Sequence, residues 1–507
     1  MSDGGWGIIG TDSMKRPLDE ELAERTKRAE EGGGEAKLAR QERLGKWTAR
    51  RRISELIDEG TFSEIGKHAL HRFAEPHALA AHRHPGDGLI CGTARIDGRR
   101  IAIIAHDPTV LRGALGLAGA RKIGRLMDTA REFKLPVITL TDCEGARVAE
   151  GGDSIEAYGS VLAEHVKTQG IVTQLTLVSG LCVGGAAYSA GLMDWVAMVR
   201  DQSFMFITGA KVTRVVMGED ADMEELGGAE MHAKKTGQCH ALVDDEATGT
   251  KWLKNMLGYL TPSIPSDDDP QREVPRVGSL VPEDQRKPYD VRQVIAEIFD
   301  RDSTLELSAL FGGSLVTTLA RLGGRAVAVV ASQPLVNAGC LDIDASRKAA
   351  HFVEWAGREG LPIVTLVDVP GYLPGKRQEQ GGIVPFGALV LKAYGHAKVP
   401  QICLVLRKCY GGASVLAFSS RIRLSLPTAR VALMGAEAAV EVLFGAVQEG
   451  ASAEEVAQRA AEKQRWLEEN DHAWAPAEQG YLDDVIAPKD SRRALHIALE
   501  NLVRESK

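Results

Sequence analysis

Leu135-Pro-Val-Ile-Thr-Leu-Thr-Asp142 returns 226 residues later as Leu361-Pro-Ile-Val-Thr-Leu-Val-Asp368. Two further pairs keep the spacing. Gly98-Arg-Arg-Ile-Ala-Ile-Ile-Ala is echoed by Gly324-Arg-Ala-Val-Ala-Val-Val-Ala at 226, and Val183-Gly-Gly-Ala by Tyr410-Gly-Gly-Ala at 227. Chance similarity rarely holds one register across three motifs, so the chain reads as two copies of one domain.

Around these motifs short β-branched runs alternate with longer helical patterns. The first copy predicts strands at Ile101–Ala105, Val137–Leu140 and Leu175–Val178, with helices over Leu117–Phe133 and Ser154–Thr168. That order is βαβα with buried strands, an α/β fold. Pro262-Ser-Ile-Pro-Ser-Asp-Asp-Asp-Pro270 reads as a linker. The expected division is a charged arm over 1–45, a first domain over 46–265 and a second over 266–507. In the arm, Gly32-Gly33-Gly34 lacks the spacing of a phosphate loop and reads as a flexible joint. Thr48 is placed to cap a helix whose Ile53, Leu56 and Ile57 form one apolar face.

Composition narrows the function. With 61 basic against 69 acidic residues the net charge is −8, so no global positive field draws nucleic acid. No apolar run approaches the roughly 20 residues of a membrane-spanning helix. Seven scattered cysteines, with no C-x-x-C pair, point to reduced thiols and a cytoplasmic protein without a structural metal. His68, His71, His77, His82 and His84 lack ordered ligand spacing and read as solvated loop residues.

The two glycine pairs are the sharpest chemical signal. Leu175-Thr-Leu-Val-Ser-Gly180 is a strand that runs through Cys182 and Val183 into Gly184-Gly185-Ala186 and then a helix. Adjacent glycines at such a turn let backbone N–H groups approach a ligand at a helix N-terminus that favours negative charge. This is oxyanion-hole chemistry. The second copy repeats it at Gly411-Gly412-Ala413, so two carbonyl groups are served. Neither turn is followed by a His, Asp or Glu at an obvious general-base position. Cys143 and Cys182 flank the first turn but read as small buried hydrophobes, since a nucleophile needs a base beside it. Arg121 and Lys122 read either as contacts for phosphates or as a solvated basic face.

From about Lys46 to Leu502 the sequence resembles the carboxyltransferase (β) subunits of biotin-dependent acyl-CoA carboxylases, in the crotonase superfamily. The resemblance is carried by Thr48-Ala-Arg-Arg-Arg-Ile53, Leu56-Ile-Asp-Glu-Gly-Thr-Phe62, the Cys182–Ala187 turn, Phe206-Ile-Thr-Gly209 and Glu225-Leu-Gly-Gly-Ala229 in the first copy. In the second it is carried by Gln333-Pro334, Gly339-Cys-Leu-Asp-Ile343, Asp368-Val-Pro-Gly-Tyr-Leu-Pro-Gly375, Gln378-Glu-Gln-Gly-Gly-Ile383, Arg407-Lys-Cys-Tyr-Gly-Gly-Ala413 and Pro427-Thr-Ala429. It implies two tandem crotonase-like (ClpP/crotonase) domains of ββα superhelix type. It also implies transfer of CO2 from carboxybiotin, borne on a separate carrier protein, to the α-carbon of a short acyl-CoA such as propionyl-CoA or acetyl-CoA. By this resemblance the N–H groups of Gly184 and Gly185 stabilise the thioester enolate, and Gly412 and Ala413 hold the biotin ureido oxygen. The implied partners are a biotin carboxylase and biotin carrier (α) subunit and five further copies of the chain in a hexamer. Subunits of biotin-dependent decarboxylases or transcarboxylases, and a non-catalytic member of a mixed hexamer, are the alternatives.

The chain departs from the family at the expected substrate contacts. The usual Asp-Ser-Gly-Gly-Ala-Arg is here Asp142-Cys143-Glu144-Gly145-Ala146-Arg147, and the usual Phe-Gly-Gly-Ser is Leu111-Arg112-Gly113-Ala114. A new anion and a new cation thus appear at the ends of neighbouring strands, and Arg112 and Glu144 are expected to lie together. In the second copy Tyr410 precedes a turn that continues Ser414-Val415, where Val415 holds a position linked in the family to acyl-chain preference. Pro385-Phe386 replaces the common basic pair. Val183 and Tyr410 complete the expected substrate-binding set with Arg112, Gly113, Ala114, Glu144, Gly145, Ala146, Ser414 and Val415.

Overall fold

Strands β1 to β8 span Ser63–Ile65, Leu89–Ile96, Arg99–His106, Val137–Cys143, Gln174–Val183, Trp195–Val199, Phe204–Phe206 and Ala241–Val243 in a computed structural model that describes residues 17–73, 77–80, 83–445 and 450–503. Strands β9 to β16 span Leu305–Leu307, Leu315–Leu322, Arg325–Ser332, Ile363–Val369, Gln401–Tyr410, Ile422–Ser425, Arg430–Ala432 and Asp484–Val485. They form two eight-stranded sheets of one topology. The first runs β1-β2-β3-β4-β5-β6-β8 with β7 on β5, and the second β9-β10-β11-β12-β13-β14-β16 with β15 on β13. In both, an antiparallel meander (β1-β2-β3, β9-β10-β11) passes into parallel strands. The duplication expected from three short motifs therefore extends to every strand.

The predicted elements follow. The helix over Leu117–Phe133 has the expected bounds, and a second over Gly152–Thr168 contains the expected Ser154–Thr168. Thr48 caps the helix Ala49–Leu56 by accepting a hydrogen bond from the Arg51 N–H. Ile53 and Leu56 are buried there, while Ile57 falls just past the helix end and is half-buried. The chain divides into two compact units, one of residues up to Thr168 with Ser179–Leu192, the other of Gln169–Val178 with the residues from Met193 onward.

Three readings are corrected. The Gly32-Gly33-Gly34 run is not a loose joint, because the Gly33 N–H donates to Thr109 Oγ1 at 2.9 Å and a Cβ on Gly33 would come within 2.0 Å of the Thr109 carbonyl oxygen. Lys122 is neither a phosphate contact nor part of a solvated face. Its ammonium is buried against the Gly86 carbonyl, at 3.0 Å, and that of Leu89. The second copy repeats this at Lys348, which donates to the Phe311 and Leu315 carbonyls at 2.9 and 2.8 Å, and burial pulls its ammonium down to about 8. His71 is buried rather than solvated, and His82 lies outside the described residues.

In the second unit the helix Val291–Ile298 buries Val291, Val294, Ile295 and Ile298, an i, i+3, i+4, i+7 stripe, in a core with Leu495 and Leu499 of the helix Ser491–Leu502 and the side chains of β11 to β14. No helix among the described residues is long and apolar enough to cross a membrane.

Candidate active site

In the first unit, three loops meet at the carboxyl ends of β3, β4 and β5, the edge where α/β sheets bind ligands. The loop after β3 carries Leu111, Arg112 and Gly113 in a tight turn with φ of 47°, 59° and 68°. All three lie in the left-handed region, where glycine is favoured and arginine strained. Glycine is required at Gly113, since a Cβ there would stand 2.3 Å from the Asp142 carbonyl oxygen. The loop after β4 pairs with this turn. Glu144 N donates to Arg112 O at 3.3 Å, Leu115 N to Gly145 O at 2.9 Å, and Arg147 N to Leu115 O at 3.0 Å, and Leu115 bridges Ala146. Gly145, at φ 92°, lets this loop press on the end of β5, where a Cβ would meet the Val183 carbonyl at 2.7 Å.

Past Val183 the chain turns at Gly184 (φ 60°, ψ −118°) into the helix Gly185–Gly191. A Cβ on Gly185 would sit 2.2 Å from the Tyr158 ring, so nothing larger fits. The N–H groups of Gly184 and Gly185 donate to no other group among the described residues. Arg112, Gly113, Ala114, Glu144, Gly145, Ala146, Val183, Gly184 and Gly185 are thus brought to one place. Arg112 and Glu144 form an ion pair, with Arg112 76% exposed and Glu144 24%.

What holds these loops is mostly buried charge. Arg147 donates to Asp87 Oδ1 at 2.6 Å, Glu150 Oε1 at 2.7 Å and the Asp87 and Ala114 carbonyls at 3.0 and 2.9 Å. Asp142, at the end of β4, takes Lys46 at 2.6 Å, Arg52 at 3.3 Å and the Leu181 N–H at 3.2 Å. Under the turn, Cys143 Sγ lies 3.3 Å from the Tyr158 hydroxyl and accepts from Gly145 N at 3.3 Å, fully buried. Burial raises the Cys182 thiol well above its ordinary range. Neither cysteine is an exposed nucleophile.

The second unit builds the matching site at the end of β13. Gly411 (φ 59°), Gly412, Ala413 and Ser414 form a 3-10 turn leading into the helix Val415–Phe418. Gly412 is exposed, with only the Tyr372 ring near a would-be Cβ, at 3.6 Å. The Ser414 hydroxyl turns back to the Gly411 carbonyl at 2.7 Å. Ala413 and Val415 are buried. Tyr410 is buried too, its hydroxyl donating to Asp471. Arg430 lies 3.4 Å from the same carboxylate. Burial raises the Asp471 carboxyl, and the hydrogen bonds from Tyr410 and Arg430 oppose it. Asp368 repeats the role of Asp142, accepting from Arg407 Nε at 2.8 Å and Lys408 N at 3.1 Å.

Sequence reasoning passed over Asp87, Arg147, Asp142, Arg52, Asp368 and Asp471. The repeated carboxylate at Asp142 and Asp368 was itself a signal, since both close the motif that revealed the duplication. Nothing local marks Asp471, which lies 61 residues from Tyr410.

Three comparisons place the chain among known proteins. The model of the carboxyl transferase domain matches residues 40–507. The chain is 37% identical to a propionyl-CoA carboxylase beta chain of Roseobacter denitrificans, covering 96% of each, and 39% identical to the carboxyltransferase subunit of propionyl-CoA carboxylase from Haloferax mediterranei, covering 98% of each. Among solved structures it is similar to the transcarboxylase 12S hexamer core with hydrolysed methylmalonyl-coenzyme A bound, at a TM-score of 0.92 and 37% identity over 98% of both chains.

Proposed function

The chain belongs to the carboxyl transferase family, and from that premise we propose that it is the carboxyltransferase subunit of a biotin-dependent acyl-CoA carboxylase, acting on propionyl-CoA or acetyl-CoA. The observation that carries this reading is the pair of glycine turns, at Gly184-Gly185 and Gly412-Ala413, each at the end of a corresponding strand and each leading into a helix. The division into a first carboxyltransferase domain over 46–265, on the acyl-CoA side, and a second over 266–507, on the biotin side, is supported by the repeated strand order.

The residues at the second turn fit a ureido oxygen. Gly412 is open, with nothing nearer to a would-be Cβ than the Tyr372 ring. When bound there, carboxybiotin supplies CO2 and the base for the acyl α-proton, and the carboxylate at the first turn, Glu144, is engaged by Arg112. The chain's own part is electrostatic. At the first turn, Gly184 and Gly185 N–H groups hold the thioester oxygen as it gains charge, a role for which one donor is worth roughly 3 kcal/mol. Tyr158 packs against Gly185, so a larger residue there would displace the turn. Arg112, Glu144, Gly145 and Ala146 border the acyl group. On the biotin side Tyr410, Ser414 and Val415 shape the turn from beneath.

The transcarboxylase 12S structure is a hexamer, and the same assembly is proposed here, with a biotin carboxylase and carrier subunit as partner. Strongly exposed apolar side chains support a buried interface, Val148 and Ile155 in the first unit and Val384, Leu433 and Val442 in the second. All seven cysteines are free thiols, which supports a cytoplasmic setting.

The test is carboxylation of an acyl-CoA panel by the purified chain with a biotinylated carrier, its biotin carboxylase, ATP and bicarbonate. Turnover of propionyl-CoA or acetyl-CoA is expected. A hexamer that turns over none of them while carboxybiotin is present overturns the reading.

A further inference from the structure

At the opposite end of the second sheet from the glycine turn lies a cavity of about 1020 Å³. It opens where β11, β12, β13 and β14 begin, so Gln401 lines it while Tyr410, at the far end of the same strand, supports the turn. Nine residue steps at about 3.3 Å put the two roughly 30 Å apart. The cavity has no part in the carboxyl-transfer geometry.

Its lining is divided in character. One wall is aliphatic and proline-rich, including Leu361, Pro362, Val399 and Pro400. Around it stand Arg325, Lys398, Arg421 and Arg423, against the acids Glu359 and Asp483. Arg325 is paired with Glu500 at 2.9 Å, and Arg423 is tied to the Ser420 and Phe418 carbonyls at 3.1 and 2.9 Å. Lys398 and Arg421 are exposed and have no partner among the described residues. Arg421 is nonetheless held in place, its N–H donating to the Gln401 carbonyl at 2.8 Å. Gln401 is anchored through Nε2 to the Tyr394 and Ala397 carbonyls at 3.0 and 2.9 Å, which leaves its buried Oε1 an unpaired acceptor beside the cavity. On a chain of net charge −8, two unpaired cations at a cavity rim are a local anion site rather than part of a general field.

We propose that this cavity binds an adenosine phosphate, with Lys398 and Arg421 meeting the phosphates and the proline-rich wall receiving the base. The volume exceeds what inorganic phosphate fills and lies at the upper end of small-ligand pockets, about 300–1,000 Å³. Free nucleotide and the phosphoadenosine end of coenzyme A share this chemistry. The experiment is equilibrium binding of ADP, coenzyme A and inorganic pyrophosphate to the full-length chain in its native assembly, by titration calorimetry, for the wild type and the double variant Lys398→Ala/Arg421→Ala.

Binding of ADP that the double variant weakens at least tenfold, with carboxyltransferase turnover and melting temperature unchanged, is the expected result. Coenzyme A giving a second site in the wild type but a single one in the variant would assign the cavity to the cofactor end rather than free nucleotide. The proposal is overturned if ADP fails to bind, if its binding survives the double variant, or if pyrophosphate binds as tightly as ADP, which would reduce the site to a patch of charge.

Discussion

The hydroxyl of Tyr410 is shared between both carboxylate oxygens of Asp471, at 2.9 and 3.0 Å. Tyr410 immediately precedes the Gly411-Gly412 turn, and Asp471 immediately follows the helix Ala453–Asn470. The backbone on which Gly412 and Ala413 present their N–H groups is therefore braced from behind by a residue far along the chain. Tyr410→Phe removes the brace without opening a large void and strands a buried acceptor, at a cost of about 1–3 kcal/mol. With carboxybiotin as donor and propionyl-CoA as acceptor, we expect kcat/KM for carboxybiotin to fall roughly tenfold, equivalent to about 1.4 kcal/mol. The KM for propionyl-CoA should stay constant. Equal damage to both parameters would assign the pair to general stability.

The two glycine turns differ in how much room they leave. Gly185→Ala drives a methyl group to 2.2 Å from the Tyr158 ring, whereas Gly412→Ala meets nothing closer than 3.6 Å. Gly185→Ala should displace the acyl turn and cost a factor of roughly 10²–10³ in kcat, the scale of losing an oxyanion donor. Gly412→Ala should melt within a degree or two of wild type. Thermal unfolding and steady-state rates of both variants check this, and a fully active Gly185→Ala enzyme would refute the packing argument.

Arg112 reaches Glu144 from a backbone conformation that suits glycine. Replacing it with glycine relieves a strain of about 1 kcal/mol, while the exposed ion pair it gives up contributes less than about 1 kcal/mol. The unfolding midpoint of Arg112→Gly should consequently not fall. A double-mutant cycle with Glu144→Gln should show coupling below about 1 kcal/mol in the free protein. If the pair recognises a polar acyl group, the same variants will alter the ranking of acyl-CoA substrates, a readout independent of stability.

His240 and His351 stack within 5.1 Å at an interplanar angle of 5°, beside the Trp195 ring. His240 accepts from Val196 N at 3.0 Å, and His351 Nε2 lies 2.8 Å from the Asp194 carbonyl, with Arg358 paired to the Asp194 carboxylate. Burial lowers both imidazoles below their ordinary 6.5, His240 furthest. Below pH 6.5 the unfolded chain binds protons that the folded chain refuses, so stability is full above that pH and is lost as pH falls toward the folded values. Chemical unfolding between pH 7.5 and 5 should show this decline, and His351→Gln should flatten it. An unchanged slope in the variant would remove these residues as its source.

How far the sequence disclosed this molecule depended on whether a feature was local. Strands and helices near Leu135–Asp142 were legible because β-branched runs and an amphipathic helical period are written in adjacent residues, and the proximity of Arg112 and Glu144 followed from neighbouring strands in a βαβ order. Lys122 was misread because its helical position suggests a solvated face, and only the tertiary fold puts the Gly86 and Leu89 carbonyls against its ammonium. Asp471 was invisible, since no periodicity links it to Tyr410. Gly32-Gly33-Gly34 misled in another way. Its composition signals freedom, but the absence of side chains is what lets the arm press on Thr109.

The buried lysines at 122 and 348 each hold two backbone carbonyls, and the strand-terminal aspartates at 142 and 368 each accept a backbone N–H from the next strand, at corresponding places in both halves. Framework and loop chemistry are thus separable parts of the design, one replicated and the other free to diverge. Leu111–Ala114 and Glu144–Ala146 pair with each other and are anchored by Arg147 and Asp142. If these loops border the acyl group as proposed, exchanging them for a relative's while leaving Arg147 and Asp142 untouched should move acceptor preference, read as the ranking of acyl-CoA substrates.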